Sequence, residues 1–288
     1  MAATEGQSPP TVKRSLPRRL ALSLLRVAVV TYLGLILVLY FFQSVFIYQP
    51  TRGIWDTPAK LRLPYDNVWF DGDSGARING WYVPGVAGAP TVLFCHPNAG
   101  SMSSYLETIG MMHGLGLNVL IFDYRGYGRS TGKLGEVGTY ADAEAAWRWL
   151  EQNHKPTALI IWGRSLGGAM AARLAAEHAP QALVLESTFS SFPAVAHDFF
   201  PYVPVSLIAR YHYPTADDAA QVKCPTLVIH SPDDEVVNFR HGQIIYDRLT
   251  CPKQFLQITG SHNEGFTLTG LSYENGIRKF FQQYRIWP

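Results

Sequence analysis

The hydrophobic pattern divides the chain into one long apolar run and a body of short ones. From Leu20 to Phe42 the residues LALSLLRVAVVTYLGLILVLYFF are apolar apart from Ser23, Arg26 and Thr31, and about 20 such residues span a bilayer as a helix. Beyond it, Asn67 to Phe70 and Arg77 to Val83 read as two strands joined by the turn Asp71-Gly72-Asp73-Ser74-Gly75. Apolar runs then recur at Thr91 to Cys95, Asn118 to Asp123, Ala158 to Trp162, Ala182 to Glu186, Thr226 to His230 and Phe255 to Ile258. Between them, Ser103 to Leu115, Tyr140 to Asn153, Leu166 to His178 and Phe239 to Leu249 have helical spacing and length. Strand and helix in alternation predict an α/β fold: a mostly parallel, eight-stranded sheet with helices on both faces.

Three stretches fall outside that alternation. Residues 1–19 carry Ser, Pro and Gly among basic residues and are expected to form a disordered basic tail. Residues 43–64 contain prolines and have little periodicity, which reads as a linker between the apolar run and a domain over 65–288. Residues 189–214 set four prolines, Pro193, Pro201, Pro204 and Pro214, among Phe199, Phe200, Tyr202, Tyr211 and Tyr213, and are expected to sit over the sheet edge as a small cap. No internal repeat is visible.

Charge decides how the apolar run is read. Residues 1–26 hold Lys13, Arg14, Arg18, Arg19 and Arg26 against Glu5 alone, an excess of four, while the whole chain carries +2, so the remainder carries −2. A body without a basic stripe excludes nucleic acid as a partner, because phosphate neutralisation needs clustered cations. The run ends in Tyr40-Phe41-Phe42-Gln43 with no small-residue cleavage pattern after it, and the aromatics suit a membrane interface. An uncleaved single-pass anchor is therefore expected, with the amino terminus cytosolic and the body extracytoplasmic or lumenal by the positive-inside rule. A helix lying in the cytosolic leaflet would carry the same basic flank. The three cysteines, Cys95, Cys224 and Cys251, have no metal-ligand spacing and read as small buried hydrophobes. No metal or cofactor is implied, nor any obligate protein partner.

The strongest chemical signal is Gly163-Arg164-Ser165-Leu166-Gly167-Gly168, directly after one predicted strand and directly before a helix. A serine on such a turn needs glycines two positions to either side, where side chains would collide with the strand and the helix. It also stands at a helix amino terminus, whose partial charge favours an oxyanion. Serine needs a histidine base, itself oriented by a carboxylate, and for a serine on such an elbow both follow later in the chain. Of nine histidines, His262 alone follows the terminal strand in a Gly/Ser-rich turn. The loop after Thr226 to His230 offers three carboxylates, ranked Asp234 first, Asp233 second and Glu235 last. Backbone N–H groups for the oxyanion are expected from Leu166 and from the loop His96-Pro97-Asn98-Ala99-Gly100, where Pro97 has no N–H and Asn98 is the donor.

These motifs, with Asp123-Tyr124-Arg125-Gly126-Tyr127-Gly128-Arg129-Ser130 and Glu186-Ser187-Thr188-Phe189, resemble the membrane-anchored α/β-hydrolase-domain serine hydrolases, a group that includes single-pass proteins and relatives of protein depalmitoylases. The resemblance runs from about Gln43 to the carboxyl end. It departs at Pro97 and Ser231, where the family usually has glycine. It implies the α/β-hydrolase fold, with Asp123 and Arg125 in structural roles. The expected activity is hydrolysis of a carboxylic ester or thioester, of a small molecule or an acylated protein, by Ser165, His262 and Asp234. Acyl transfer and aminopeptidase-like hydrolysis would use the same residues. A non-catalytic membrane-bound ligand-binding protein is the alternative from outside enzymology.

Overall fold

The structure is a computed structural model that describes residues 16–288. Most of the basic tail expected over 1–19 therefore lies outside the described residues. The chain forms two units, Met1–Phe42 and Gln43–Pro288. In the first, helix α1 (Leu16–Phe41) begins before Leu20 and contains a 25-residue stretch, Pro17–Phe41, long and apolar enough to cross a membrane.

In the second unit eight strands form one sheet: β1 (Asp66–Asp71), β2 (Arg77–Val83), β3 (Thr91–Cys95), β4 (Asn118–Phe122), β5 (Leu159–Arg164), β6 (Ala182–Glu186), β7 (Thr226–His230) and β8 (Lys253–Gln257). Their spatial order is β1-β2-β4-β3-β5-β6-β7-β8. Only β2 runs against its neighbours; all other pairs are parallel. The inner strands read as continuous apolar runs because both faces are covered.

Ten helices of the second unit follow the chain as α2 (Gln43–Ile47), α3 (Leu106–Gly114), α4 (Glu136–Asn153), α5 (Leu166–Glu177), α6 (Phe192–Phe199), α7 (Val205–Ile208), α8 (Thr215–Ala219), α9 (Phe239–Arg248), α10 (Gly265–Thr269) and α11 (Leu271–Gln283). Alternate strand residues serve opposite faces. Val92, Phe94, Ile160 and Trp162 share a core with Ile109 of α3 and Ile277 and Phe280 of α11. Leu93, Ile161 and Leu183 pack with Leu150 of α4, Ala169 of α5 and Ile245 of α9.

The stretch 43–64 is not a free linker. Ile47 and Tyr48 are buried in the core, Gln49–Pro50 pairs in parallel with Ala99–Gly100, and the Thr51 N–H donates to the Gly100 carbonyl at 2.7 Å. The folded body therefore begins at Gln43 rather than at residue 65. The segment lacks periodicity because, beyond the short helix α2, much of its backbone is satisfied by distant loops instead of by a long helix or strand.

The expected cap, 189–214, also differs from expectation in where it arises. It leaves β6, an inner strand, and is clasped from three sides rather than lying at a sheet edge. The Glu136 carboxylate at the start of α4 accepts the His212 and Tyr213 N–H groups at 2.7 Å each. Tyr213 meets Tyr48, hydroxyl to hydroxyl, at 2.5 Å. Asp198 of α6 pairs with Arg240 and with His241 of α9.

Candidate active site

Ser165 sits between β5 and α5 with φ 52° and ψ −122°, a left-handed conformation that costs a non-glycine residue about 1–3 kcal/mol. The surroundings hold it there. Its N–H donates to the Glu186 carbonyl at 2.9 Å, and its carbonyl accepts the Thr188 hydroxyl at 2.7 Å and the Gly168 N–H at 3.0 Å. The Glu186-Ser187-Thr188 motif thus props the Ser165 turn from the neighbouring strand. The glycines behave as the sequence requires: a Cβ on Gly163 would overlap the Gly167 carbonyl, and one on Gly167 would overlap that of Cys95. The loop leaving β3 therefore lies directly on the first turn of α5, where the Leu166 N–H is one of the helix's orphan donors.

His262, seven residues before α10 ends with Thr269, brings its Nε2 to 3.1 Å from Ser165 Oγ and its Nδ1 to 2.8 Å from Asp234 Oδ2. An ionised carboxylate only accepts, so Nδ1 carries the proton and Nε2 is left to accept the serine hydroxyl. All three side chains belong to buried residues. Burial on its own would raise the Asp234 carboxyl. Hydrogen bonds from His230 and His262, with the Val237 N–H at 2.7 Å, outweigh it and hold the group well below the usual carboxylate range.

Geometry separates the three candidate carboxylates. Asp234 faces the imidazole, Glu235 accepts the His262 backbone N–H at 3.1 Å, and Asp233 is exposed, with its carboxylate 3.5 Å from the Gly260 amide. Asn98 is fixed by three bonds: its carbonyl accepts the Gln49 N–H at 3.1 Å and the Tyr127 hydroxyl at 2.6 Å, and its Nδ2 donates to the Ile47 carbonyl at 3.1 Å. None of these uses the Asn98 backbone N–H. His96 is buried beside its own turn, Nδ1 2.7 Å from the Pro97 carbonyl, and Arg125 is locked onto buried Asp142 and onto Asp73. Among the described residues no group of three or more His, Cys, Asp and Glu could hold a metal.

Arg164 was overlooked by sequence reasoning. Its buried guanidinium donates to the His262 carbonyl at 2.9 Å and to that of Asn263 at 3.1 Å. Glu186 stands 3.6 Å behind it and accepts the Trp162 indole N–H at 3.0 Å and the Tyr273 hydroxyl at 2.9 Å. The signal available was a charged residue inside an apolar strand-to-helix junction, a place where burial demands partners.

A 1-2-4-3-5-6-7-8 sheet with one antiparallel inner strand and a serine on the turn after β5 defines the α/β-hydrolase fold. The family model described as serine aminopeptidase, S33, matches residues 89–203. An uncharacterised protein of Mycobacterium tuberculosis is 34% identical over 274 residues, covering 93% of this chain and 98% of its own. An α/β-hydrolase domain-containing protein of Arabidopsis thaliana is 29% identical over 273 residues, covering 84% and 88%. An esterase of Pyrococcus furiosus superposes with a TM-score of 0.70 at 22% identity, over 83% of this chain and 98% of that one. The chain belongs to the α/β-hydrolase family.

Proposed function

We propose that this protein is a membrane-anchored serine hydrolase acting on carboxylic esters or thioesters. The observation that carries the reading is the unbroken hydrogen-bonded series from Asp234 through His262 to Ser165, set at the amino terminus of α5. Ser165 Oγ attacks the acyl carbonyl carbon as His262 Nε2 takes its proton. The imidazolium then protonates the leaving alcohol or thiol, and an acyl-enzyme remains. Water, deprotonated by the same nitrogen, releases the acid and restores the serine. Asp234 keeps Nδ1 protonated and stabilises the imidazolium. The Leu166 and Asn98 N–H groups are the oxyanion donors.

Helix α1 is the anchor, and Arg18 and Arg19 at its start favour a cytosolic amino terminus with the body on the opposite side. The bilayer is then a standing partner, and lipid esters and acylated proteins are the substrates within reach. A second reading, peptide hydrolysis, is favoured by the aminopeptidase description of the matched family model.

Fluorophosphonate labelling of membranes, with nitrophenyl esters of rising chain length and aminoacyl anilides alongside, tests both. Labelling and ester turnover lost in Ser165→Ala and His262→Ala support the ester reading. Anilide turnover without ester turnover selects the peptidase. Folded wild-type protein that is neither labelled nor active refutes the hydrolase.

A further inference from the structure

The direction of the sheet gives the folded body two ends. Strands β3 to β8 all run the same way, so Asn98, Ser165, the cap, Asp234 and His262 all stand on segments that leave the carboxyl ends of strands. The chain also joins the body at that end. Gln43 comes two residues after Phe41, where α1 stops, a reach of about 7 Å. Its side chain is fixed on the cap, Nε2 donating to the Ile208 carbonyl at 2.7 Å and Oε1 accepting the Arg210 N–H at 2.8 Å. The strap that follows, residues 44–52, pairs along Ala99–Gly100 in the loop after β3.

Large apolar side chains are exposed unevenly between the two ends. The loops entering the amino ends of β3 to β8, residues 84–90, 115–117, 154–158, 178–181, 220–225 and 249–252, expose Val86 alone. At the carboxyl end, Phe199 and Leu207 are exposed on the cap, Val236 two residues after Asp234 and Leu268 six after His262. Val45 and Phe46 are exposed on α2, whose other residues Gln43 and Ile47 are buried.

Single exposed apolar residues are ordinary; the contrast between the ends is what needs a cause. A substrate pocket does not supply one, because pockets bury the side chains that line them, whereas Leu207 is 84% exposed and Leu268 64%. A bilayer does. A body hung by Gln43 holds its carboxyl end within a few residues of the apolar helix, and apolar side chains at that end can enter the headgroup layer. Asp233, Glu235 and Glu264 are exposed on the same loops, so buried apolar area, not attraction to anionic lipid, must carry the contact.

We infer that the carboxyl end of the sheet is a bilayer-contacting surface, with Phe199, Leu207 and Leu268 seated in the headgroup layer of the membrane that α1 enters. The loops of the triad then lie against lipid instead of facing water. The inference rests on α1 as an anchor and not on the hydrolase chemistry.

The test uses the full chain in phosphatidylcholine nanodiscs. Cys251, the one cysteine that is not buried, is removed as Cys251→Ala, and a nitroxide is attached singly to Phe199→Cys, Leu207→Cys, Leu268→Cys, Val86→Cys or Thr31→Cys. Power-saturation electron paramagnetic resonance, with oxygen and a nickel chelate as relaxants, reads the depth of each label. The Phe199, Leu207 and Leu268 labels should lie about 5–10 Å below the phosphates, the Thr31 label deeper, and the Val86 label in water. Leu207 is close to the tether, so Phe199 and Leu268 decide; Leu271→Cys, also exposed, replaces Leu268→Cys should that variant not fold. Either deciding label in water while Thr31 is in lipid overturns the inference and leaves the anchor standing. Thr31 in water removes the anchor and this inference with it. Broadening between labels that vanishes on dilution with unlabelled chain identifies a second copy as the occupant and also overturns it. Depth is read without activity, so no outcome bears on the ester chemistry.

Discussion

Arg164 donates to the backbone carbonyl of His262 at 2.9 Å, so the residue preceding the candidate nucleophile also holds the loop that carries its base. One buried cation therefore fixes the distance between the two. Replacing it with Met would leave the His262 and Asn263 carbonyls and the Glu186 carboxylate without their partner, a change that costs about 3–5 kcal/mol for a buried ion pair. Arg164→Lys keeps the charge but not the fork. It should fold, with kcat reduced by about 10²-fold through misplacement of His262 and KM little changed. Steady-state kinetics and thermal melts of the two variants separate these effects.

Asp234 and its neighbour Asp233 differ in what they face, and substitution should expose that difference. Asp234→Asn preserves shape but cannot hold the His262 tautomer, and a loss of about 10⁴ in kcat is expected, as for the corresponding change in serine proteases. Asp233→Asn, altering an exposed carboxylate, should change kcat by less than about threefold, because surface charges contribute little. Ester turnover under saturating substrate checks both.

His241 sets a pH dependence of stability. Burial, then the charge of Arg240, push its imidazole down from 6.5 to about 4. The folded state thus keeps it neutral while the unfolded chain protonates below 6.5. Between pH 6.5 and 4 the unfolded state binds more protons, so stability falls as pH falls, by up to about 1.4 kcal/mol per unit. Below about 4 this contribution is exhausted. Asp234 acts in a different window: its depressed carboxyl stabilises the fold above the ordinary value of 3.8 and loses that contribution only at lower pH. Thermal midpoints measured from pH 7 to 4 should decline in the wild type and flatten in His241→Gln.

The serine turn, the loops after late strands that carry its partners and the mostly parallel sheet were legible because each depends on local signals: apolar runs, glycines at fixed offsets and turn residues at strand ends. Helix α11 was not, although Tyr273, Ile277 and Phe280 lie on one face. Asn275-Gly276 reads as a turn, yet Gly276 serves close packing against Leu256, which a Cβ there would meet at 2.7 Å. Helix α4 starts at Glu136 rather than Tyr140 because Glu136 is spent on the cap's backbone, a long-range role with no local signature. Arg164 and the segment 44–52 were hidden for the same reason, since their partners lie from 51 to 165 residues away.

The strap has a consequence for release from the apolar helix. Because Ile47 and Gln49 hold the Asn98 loop and Gln43 holds the cap, a protease cutting before Gln43 would shed an intact body, whereas one cutting between Tyr48 and Arg52 would shed a body whose Asn98 loop, the proposed oxyanion donor, has lost its tether. Cleavage on the two sides of a few residues would thus separate mobilising this enzyme from disarming it.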